Sequence, residues 1–183
     1  MKPLLRFEEV TCVRGGRLLF EGLDLRLGPG EALHLTGPNG SGKSSLIRLA
    51  AGLLRPERGR IDRSPLALAN DSVALDPELP LRRALRFWGK EVEAAMDALD
   101  LSRLAQVPVR LLSTGQAKRA TLARVAASGT SLWLLDEPLN GLDSDGIARL
   151  DALVAGHLQR GGAVLTASHG SLRGDWTHLE LGA

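Results

Sequence analysis

The sequence has little of several features on which whole classes of protein depend. It contains one cysteine, Cys12, so it cannot form an internal disulfide and needs no oxidising compartment. Its longest uninterrupted apolar run is four residues, as at Leu132 to Leu135. A bilayer-spanning helix needs about 20 mainly apolar residues, so we expect no spanning segment. Met1 to Arg6 has no long apolar core, and we therefore expect no signal peptide.

Aromatic side chains and an excess of one charge are also missing. The chain has three Trp, three Phe and no Tyr, and 23 Lys and Arg against 21 Asp and Glu give a net charge of +2. Proteins that stack bases need aromatic platforms, and those that follow a phosphate backbone need a basic surface. We therefore expect no nucleic-acid partner.

What remains is a composition typical of one globular domain. The 183 residues are 44% hydrophobic and 24% charged. Strands alternating with helices predict an α/β fold with a largely parallel sheet, into which a mostly helical block at 79–129 is inserted. The predicted elements are short strands within 4–27, a strand at 31–36, a helix at 43–54, an extended segment at 61–69, helical spacing at 81–88 and 92–99, a helix at 113–128, a strand at 132–135, a helix at 143–158, and strands at 163–166 and 177–181.

A glycine-rich segment follows the strand at 31–36 and opens a helix. Its residues Gly37-Pro38-Asn39-Gly40-Ser41-Gly42-Lys43-Ser44 fit G-x-x-x-x-G-K-[ST] at every fixed position. Glycines let several backbone N–H groups point at one anion, and the helix N-terminus adds favourable partial charge. The spacing predicts a phosphate-binding loop in which Lys43 reaches the β- and γ-phosphates and Ser44 ligates Mg²⁺.

Two acidic residues end the apolar strand at 132–135. The carboxyl ends of parallel strands face the ligand crevice, so Asp136 and Glu137 are expected beside the phosphate loop. Asp136 would hold Mg²⁺, and Glu137 would polarise the attacking water. Two solvated acids at a strand end would be the simpler interpretation if the phosphate loop were absent.

Leu112-Ser113-Thr114-Gly115-Gln116 distinguishes between families of phosphate-loop proteins. Together with the preceding motifs it resembles the signature sequence of ATP-binding cassette (ABC) ATPases, usually L-S-G-G-Q, with Thr114 in place of the first glycine. The resemblance implies a P-loop, RecA-like core with a short antiparallel β subdomain and a helical insert. One domain would span 1–183, with 1–78 and 130–183 as core and 79–129 as helical subdomain. It also implies a head-to-tail homodimer that holds each ATP between Lys43 of one chain and Ser113 of the other.

The resemblance extends to two later segments. Asn140 to Asp143 occupies the place of the family's D-loop, and His169 matches its switch histidine, which would act with Glu137 in catalysis. The residues that would contact ATP are Gly37, Pro38, Asn39, Gly40, Ser41, Gly42, Lys43, Ser44, Ser45, Arg14, Ser113, Gly115, Gln116 and Asp143. His34, His157 and His178 match no motif and are interpreted as surface or partly satisfied polar residues.

The sequence departs from the family pattern in three places. No aromatic residue stands near Val13 to stack on adenine, and Arg14 is the nearest planar group. No glutamine follows the extended segment where the family's Q-loop glutamine should fall. Either Asn70 or Asp71 faces the Mg²⁺ in its place, or the coupling is altered. The segment between Ile61 and Pro80 is also shortened.

The helix expected at Leu81 to Trp88 presents an apolar stripe and a charged face. Leu81, Leu85 and Trp88 are interpreted as core residues. The arginines at 82, 83 and 86 are then left for a partner or for solvent.

A narrower resemblance rests on residues 14–23, on residues 83–88 and on the short length. These features are similar to the ATPases of bacterial cytochrome c maturation exporters, which are linked to haem delivery. That similarity implies integral membrane partners of the Ccm B type, with haem-handling Ccm C and Ccm D types, at the cytoplasmic face of the inner membrane. The alternatives are the ATPase of another small exporter or importer, a soluble ABC ATPase acting on ribosomes or DNA, and a binding module without hydrolysis.

Overall fold

A computed structural model describes residues 2–70, 74–170 and 172–182 of the chain. Within these ranges two short 3₁₀ helices lie at Ser102–Leu104 and Val109–Leu111. The strands and α-helices are, in order, β1 Leu5–Arg14, β2 Arg17–Leu27, β3 Ala32–Thr36, α1 Lys43–Ala51, β4 Arg58–Arg63, β5 Leu66–Ala69, α2 Leu81–Arg86, α3 Val92–Ala98, α4 Thr114–Ala127, β6 Leu132–Asp136, α5 Ser144–Gln159, β7 Ala163–Ala167 and β8 Thr177–Glu180.

The strands form two sheets. β2, β1 and β4 make an antiparallel sheet in that order. β1 and β2 are joined by Gly15 and Gly16, whose positive φ angles suit a two-residue hairpin turn. The second sheet has the order β5-β6-β7-β3-β8, and every neighbouring pair in it is parallel. The predicted α/β class with a parallel sheet is therefore confirmed.

Both faces of the central strands β3, β6 and β7 are buried, which explains why these strands are mainly apolar. In β6, Leu132 and Leu134 pack on one side with α1 and the antiparallel sheet. Trp133 and Leu135 point to the other side and pack with α4, α5 and the helices before α4. Because successive side chains of a strand point to opposite faces, one short strand contributes to two cores.

The helical block at 79–129 has the element content that its spacing predicts. Ser113 caps α4: its hydroxyl accepts from the Gln116 N–H, and the Gln116 side chain accepts from the Ser113 N–H. This reciprocal capping box stabilises a helix start. Leu81 and Leu85 are fully buried, as expected, but Trp88 is 37% exposed and lies under the Arg124 guanidinium. The interpretation of Trp88 as core was wrong, because α2 ends at Arg86.

Several predicted boundaries and environments also differ from the structure. α1 stops at Ala51 rather than near Leu54, because Gly52 adopts the left-handed conformation that ends a helix. The first two strands are long, with 10 and 11 residues. His34 and His157 are buried, so they are not surface residues, and His157 is partly satisfied because its Nε2 has no hydrogen-bond partner among the described residues. No helix within the described ranges is both long enough and apolar enough to cross a bilayer.

His157 illustrates the cost of a buried ionisable side chain. Its ring stacks on Trp133 with centroids 3.7 Å apart and planes inclined by 8°. Burial lowers the pKa of His157, which favours the neutral ring in the folded state. The His157 ring therefore binds a proton more readily in the unfolded chain than in the folded chain.

Stability should fall as the pH falls below about 6.5, the ordinary pKa of the His157 side chain, by up to about 1.4 kcal/mol per pH unit. A His157→Leu variant should lose less stability over the same interval, whatever its stability at pH 8. The measurement is the free energy of urea unfolding from pH 8 to pH 5 for both proteins. Curves that run parallel below pH 6.5 would show that His157 does not carry this dependence.

Candidate active site

The candidate site lies at the edge of the parallel sheet where the strands end. Thr36 of β3 leads into the glycine-rich loop, Asp136 of β6 leads into Glu137, and Ala167 of β7 leads into the segment with His169. Parallel strands bring such endings to one edge, where ligands of α/β folds bind. The topology therefore brings together residues that are far apart in the sequence, such as Ser44 and Asp136.

The glycine-rich loop packs tightly against the end of the chain. A Cβ atom at Gly37 would lie 2.2 Å from the Leu181 carbonyl oxygen, and the φ of Gly37 is +127°, so only glycine fits. Gly40 and Gly42 also have positive φ angles. The Lys43 ammonium donates to the carbonyl oxygens of Gly37 and Pro38, at 2.8 and 3.0 Å. The ammonium is thus held inside the curl of the loop, at the start of α1.

A cavity of about 330 Å³ opens over the loop. Most of its lining was predicted from the sequence, and Leu19 was not. The lining residues are Arg14, Leu19, Asn39, Gly40, Gly42, Lys43, Ser44, Ser45, Glu137 and His169. The cavity thus joins the loop, the two candidate catalytic residues and the tip of the β1–β2 hairpin.

Ser44 and Asp136 bring two oxygen ligands together. The Ser44 hydroxyl donates to Asp136 Oδ1 over 3.1 Å. Hydroxyl and carboxylate oxygens suit Mg²⁺, which usually takes its remaining ligands from water and substrate phosphates. In the described parts of the chain no cluster of three or more His, Cys, Asp and Glu could hold a metal ion. Asp71, the third metal ligand expected, lies outside the described residues.

Glu137 is held in an unusual conformation. Its φ is +48°, a left-handed value that is costly for a residue with a side chain, and its N–H donates to the Ala167 carbonyl over 2.8 Å. Its Oε2 is buried and has no hydrogen-bond partner among the described residues. Its Oε1 lies 3.7 Å from His169 Nε2. A carboxylate with one oxygen near a histidine and the other unpaired is equipped to accept a proton from a bound water.

The signature segment lies apart from these groups. Of the described residues that line the phosphate-loop cavity, none belongs to 112–116. Thr114 instead lines a second cavity of about 510 Å³ with Asn70, Asn140 and Gly141. A Cβ atom at Gly115 would come within 3.0 Å of the Gly141 carbonyl oxygen, so the two segments pack closely. Ser113 is exposed.

Two residues expected at the nucleotide have local structural roles. The Asp143 carboxylate caps α5 by accepting from the Gly146 N–H over 2.8 Å. The Gln116 side chain is engaged in the cap of α4.

Ser41 is buried within the loop, and its hydroxyl has no hydrogen-bond partner among the described residues. Asn70 is half-buried and lines the second cavity, whereas Ser44 lines the first.

The sequence interpretation missed Leu19 and His34. Leu19 packs against Gly42, at 3.3 Å from the position of a Cβ there, and borders the cavity beside Arg14. In the sequence Leu19 is only an apolar residue close to a hairpin turn, and such residues are too common to indicate a binding site. His34 is a polar residue in a mainly apolar strand directly before the phosphate loop, and this contrast could have been recognised in the sequence.

Comparison with known proteins agrees with the geometry. The ABC transporter family model matches residues 20–140. A cytochrome c biogenesis ATP-binding export protein CcmA from Sphingopyxis alaskensis is 56% identical over 180 residues, covering 94% of this chain and 93% of the relative. A protein of the same name from Novosphingobium aromaticivorans is 54% identical, with coverage of 88% and 86%.

Solved structures share the fold at lower identity. An ATP-binding subunit of an ABC transporter superposes with a TM-score of 0.87 at 22% identity, covering 98% of this chain and 88% of that one. A dimeric ATP-binding cassette in a post-hydrolysis state, bound to ADP and Pi, gives 0.82 at 20% identity, with coverage of 98% and 97%. The chain belongs to the ABC transporter family of ATP-binding proteins, in the group formed by the CcmA relatives.

Proposed function

We propose that this chain hydrolyses ATP to ADP and phosphate at the phosphate-loop cavity, with Glu137 as the base. The observation that carries the proposal is the arrangement around Glu137. Glu137, whose Oε2 has no partner among the described residues, lines one cavity at the edge of the sheet together with His169 and Lys43. The strained backbone of Glu137 supports the same assignment, because strain persists where function requires it.

Binding rests on the loop and on α1. Backbone N–H groups of residues 40–44 and the N-terminus of α1 receive the phosphate oxygens, and the Lys43 ammonium exchanges loop carbonyls for the β- and γ-phosphates. Arg14 and Leu19 line the cavity near the tip of the β1–β2 hairpin. Arg14 stacks its guanidinium on adenine and Leu19 contacts it, in place of an aromatic residue.

In the hydrolytic step Glu137 acts on a water in line with the γ-phosphorus. The water oxygen bonds to the phosphorus, the bond to the β–γ bridging oxygen breaks, and Glu137 takes the water proton. His169 contacts the γ-phosphate and keeps the Glu137 carboxylate in orientation. Ser44 and Asp136 would hold Mg²⁺, which when bound neutralises charge on the phosphates.

We further propose that two chains close head to tail over two ATP molecules. Ser113 is exposed at the N-terminus of α4 and lies apart from the phosphate-loop cavity of its own chain. Helix N-termini bind anions, so Ser113 with the first N–H groups of α4 suits a γ-phosphate presented by another chain. The structural neighbour bound to ADP and Pi is dimeric, which supports the pairing of two chains.

The transport role follows the CcmA relatives. The proposal is that this chain serves as the ATPase of a cytochrome c maturation exporter, docked on Ccm B-type membrane subunits at the cytoplasmic face of the inner membrane. Its work would be either haem export or release of a haem-carrier complex. The exposed aromatic pair after α2, with Phe87 84% exposed and packed edge to face on Trp88, supports docking of an apolar element there. Arg82 and Arg86, beside that docking surface, both form ion pairs with Glu93. Their positive charge is therefore partly neutralised.

Replacing Glu137 by glutamine should leave ATP binding intact and slow hydrolysis by at least about 10²-fold, because the phosphate loop remains and the base is lost. Lys43→Ala should instead weaken ATP binding. The measurements are the ATP dissociation constant and the steady-state ATPase rate of each protein. Hydrolysis at the wild-type rate in the Glu137→Gln variant would remove Glu137 from the reaction.

Mixing two defective chains tests the composite site. Lys43→Ala disables the phosphate loop and Ser113→Arg disables the opposing surface. Each mixed dimer then combines one doubly defective site with one intact site, so ATPase activity should return on mixing, to a maximum near equal amounts. The control is either variant alone at the same total concentration. Absence of recovery, with mixed dimers demonstrated by differently tagged chains, would contradict the head-to-tail arrangement.

A further inference from the structure

His34 is a polar residue at a position that otherwise favours apolar side chains. It lies in β3 between Leu33 and Leu35, three residues before Gly37, and is only 6% exposed. β3 pairs with β7 on one side and β8 on the other, so the ring sits within the sheet layers. Burying a polar ring without a hydrogen-bond partner costs free energy, so the partner that His34 has indicates why a histidine can lie there.

That partner is the backbone immediately before the candidate catalytic histidine. His34 Nε2 lies 2.9 Å from the carbonyl oxygen of Ser168. A carbonyl oxygen only accepts, so Nε2 carries the proton and donates. The pairing between β3 and β7 ends at Leu35 and Ala167, one residue before Ser168. The His34 side chain therefore adds a hydrogen bond one residue beyond the last backbone pair between β3 and β7.

The Ser168 carbonyl controls where His169 lies. The carbonyl and the His169 nitrogen belong to one planar peptide unit, so fixing the direction of the carbonyl also fixes the origin of the His169 side chain. The His169 side chain is 61% exposed, and its 3.7 Å approach to Glu137 is too long for a hydrogen bond. Its position is consequently set more by its backbone than by its own contacts.

Neighbouring contacts keep both partners in place. The Ser168 hydroxyl accepts from the Gly170 N–H over 3.1 Å, which closes the turn around His169. Trp176, from the segment before β8, packs edge-on against the His34 ring with centroids 6.3 Å apart. The indole N–H of Trp176 donates to the Arg173 carbonyl and is thereby fixed itself. The His34 ring has little freedom to release the Ser168 carbonyl.

We propose that His34 is a positioning residue for ATP hydrolysis. Its Nε2–H orients the peptide between Ser168 and His169 and so holds the His169 ring at the γ-phosphate side of the cavity, next to Glu137. The inference rests on the proposed hydrolytic function, to which it adds a residue that touches neither nucleotide nor water.

Two substitutions of similar length separate the hydrogen bond from the packing. His34→Gln keeps an N–H donor near the position of Nε2, whereas His34→Met fills similar space without a donor. The Met variant should lower kcat by about tenfold while leaving the ATP dissociation constant within about twofold, since the phosphate loop is untouched. The Gln variant should retain most of the wild-type kcat. His178→Leu, which changes an exposed ring of the same cluster, is the matched control.

A second series asks whether His34 acts through His169. In a His169→Ala background the Met and Gln variants should hydrolyse ATP at the same residual rate, because the residue being positioned is gone. If His34→Met does not fold, His34→Leu replaces it in both series, with unfolding midpoints measured throughout.

The outcomes separate this inference from the function on which it rests. No ATPase activity in the wild type, or full activity in His169→Ala, would contradict the proposed function. Activity in the wild type and its loss in His169→Ala, with His34→Met and His34→Gln equal in kcat, would overturn the role of His34 alone. A Met defect of equal size with and without His169 would also overturn it, since the effect would then be general destabilisation.

Discussion

Everything at the candidate site depends on the register of five parallel strands. In the order β5-β6-β7-β3-β8 the chain brings three separate strand endings to one edge, and each ending turns at once into a candidate functional segment. The sheet, and not proximity in the sequence, brings these three segments together. The register is fixed because both faces of the central strands are buried, so a slip of one residue would exchange the two cores on which the sheet rests.

Several groups at this edge are held at a cost that the rest of the fold must offset. Glu137 has a left-handed backbone, Gly37 lies where no Cβ fits, and buried oxygens of Ser41 and Glu137 lack partners among the described residues. Such features persist where the surrounding structure over-determines them. The Leu181 carbonyl against Gly37 and the His34 bond to Ser168 are two of the contacts that do so.

Most of this arrangement was predictable from the sequence because short, ordered patterns carry strong constraints. The phosphate loop needs a strand before it and a helix after it, and both are present. The cap of α4 at Ser113 was likewise predicted from a residue type that is strongly preferred at helix starts. Arg14 was selected only as the nearest planar group, and it does border the cavity.

What the sequence did not reveal depends on contacts between distant segments. The exposure of Trp88 follows from where α2 ends, and a pattern of apolar spacing does not locate that end. The burial of His34 and His157 follows from the layers that cover their elements. Because histidine occurs at both buried and exposed positions in proteins, residue type alone does not predict that His34 and His157 are buried.

In the dimer that we propose, the nucleotide is held between the phosphate loop of one chain and the start of α4 of another. Disulfide trapping between Asn39→Cys and Ser113→Cys, placed in the same chain with the buried Cys12 changed to alanine, tests it directly. The protein is combined with ATP, Mg²⁺ and a mild oxidant, and the products are separated without reductant. The account predicts a covalent dimer that forms with ATP and is sparse without it, and that is absent when either cysteine is omitted. Cross-linking that is independent of ATP, or that joins the two cysteines within a single chain, would contradict it.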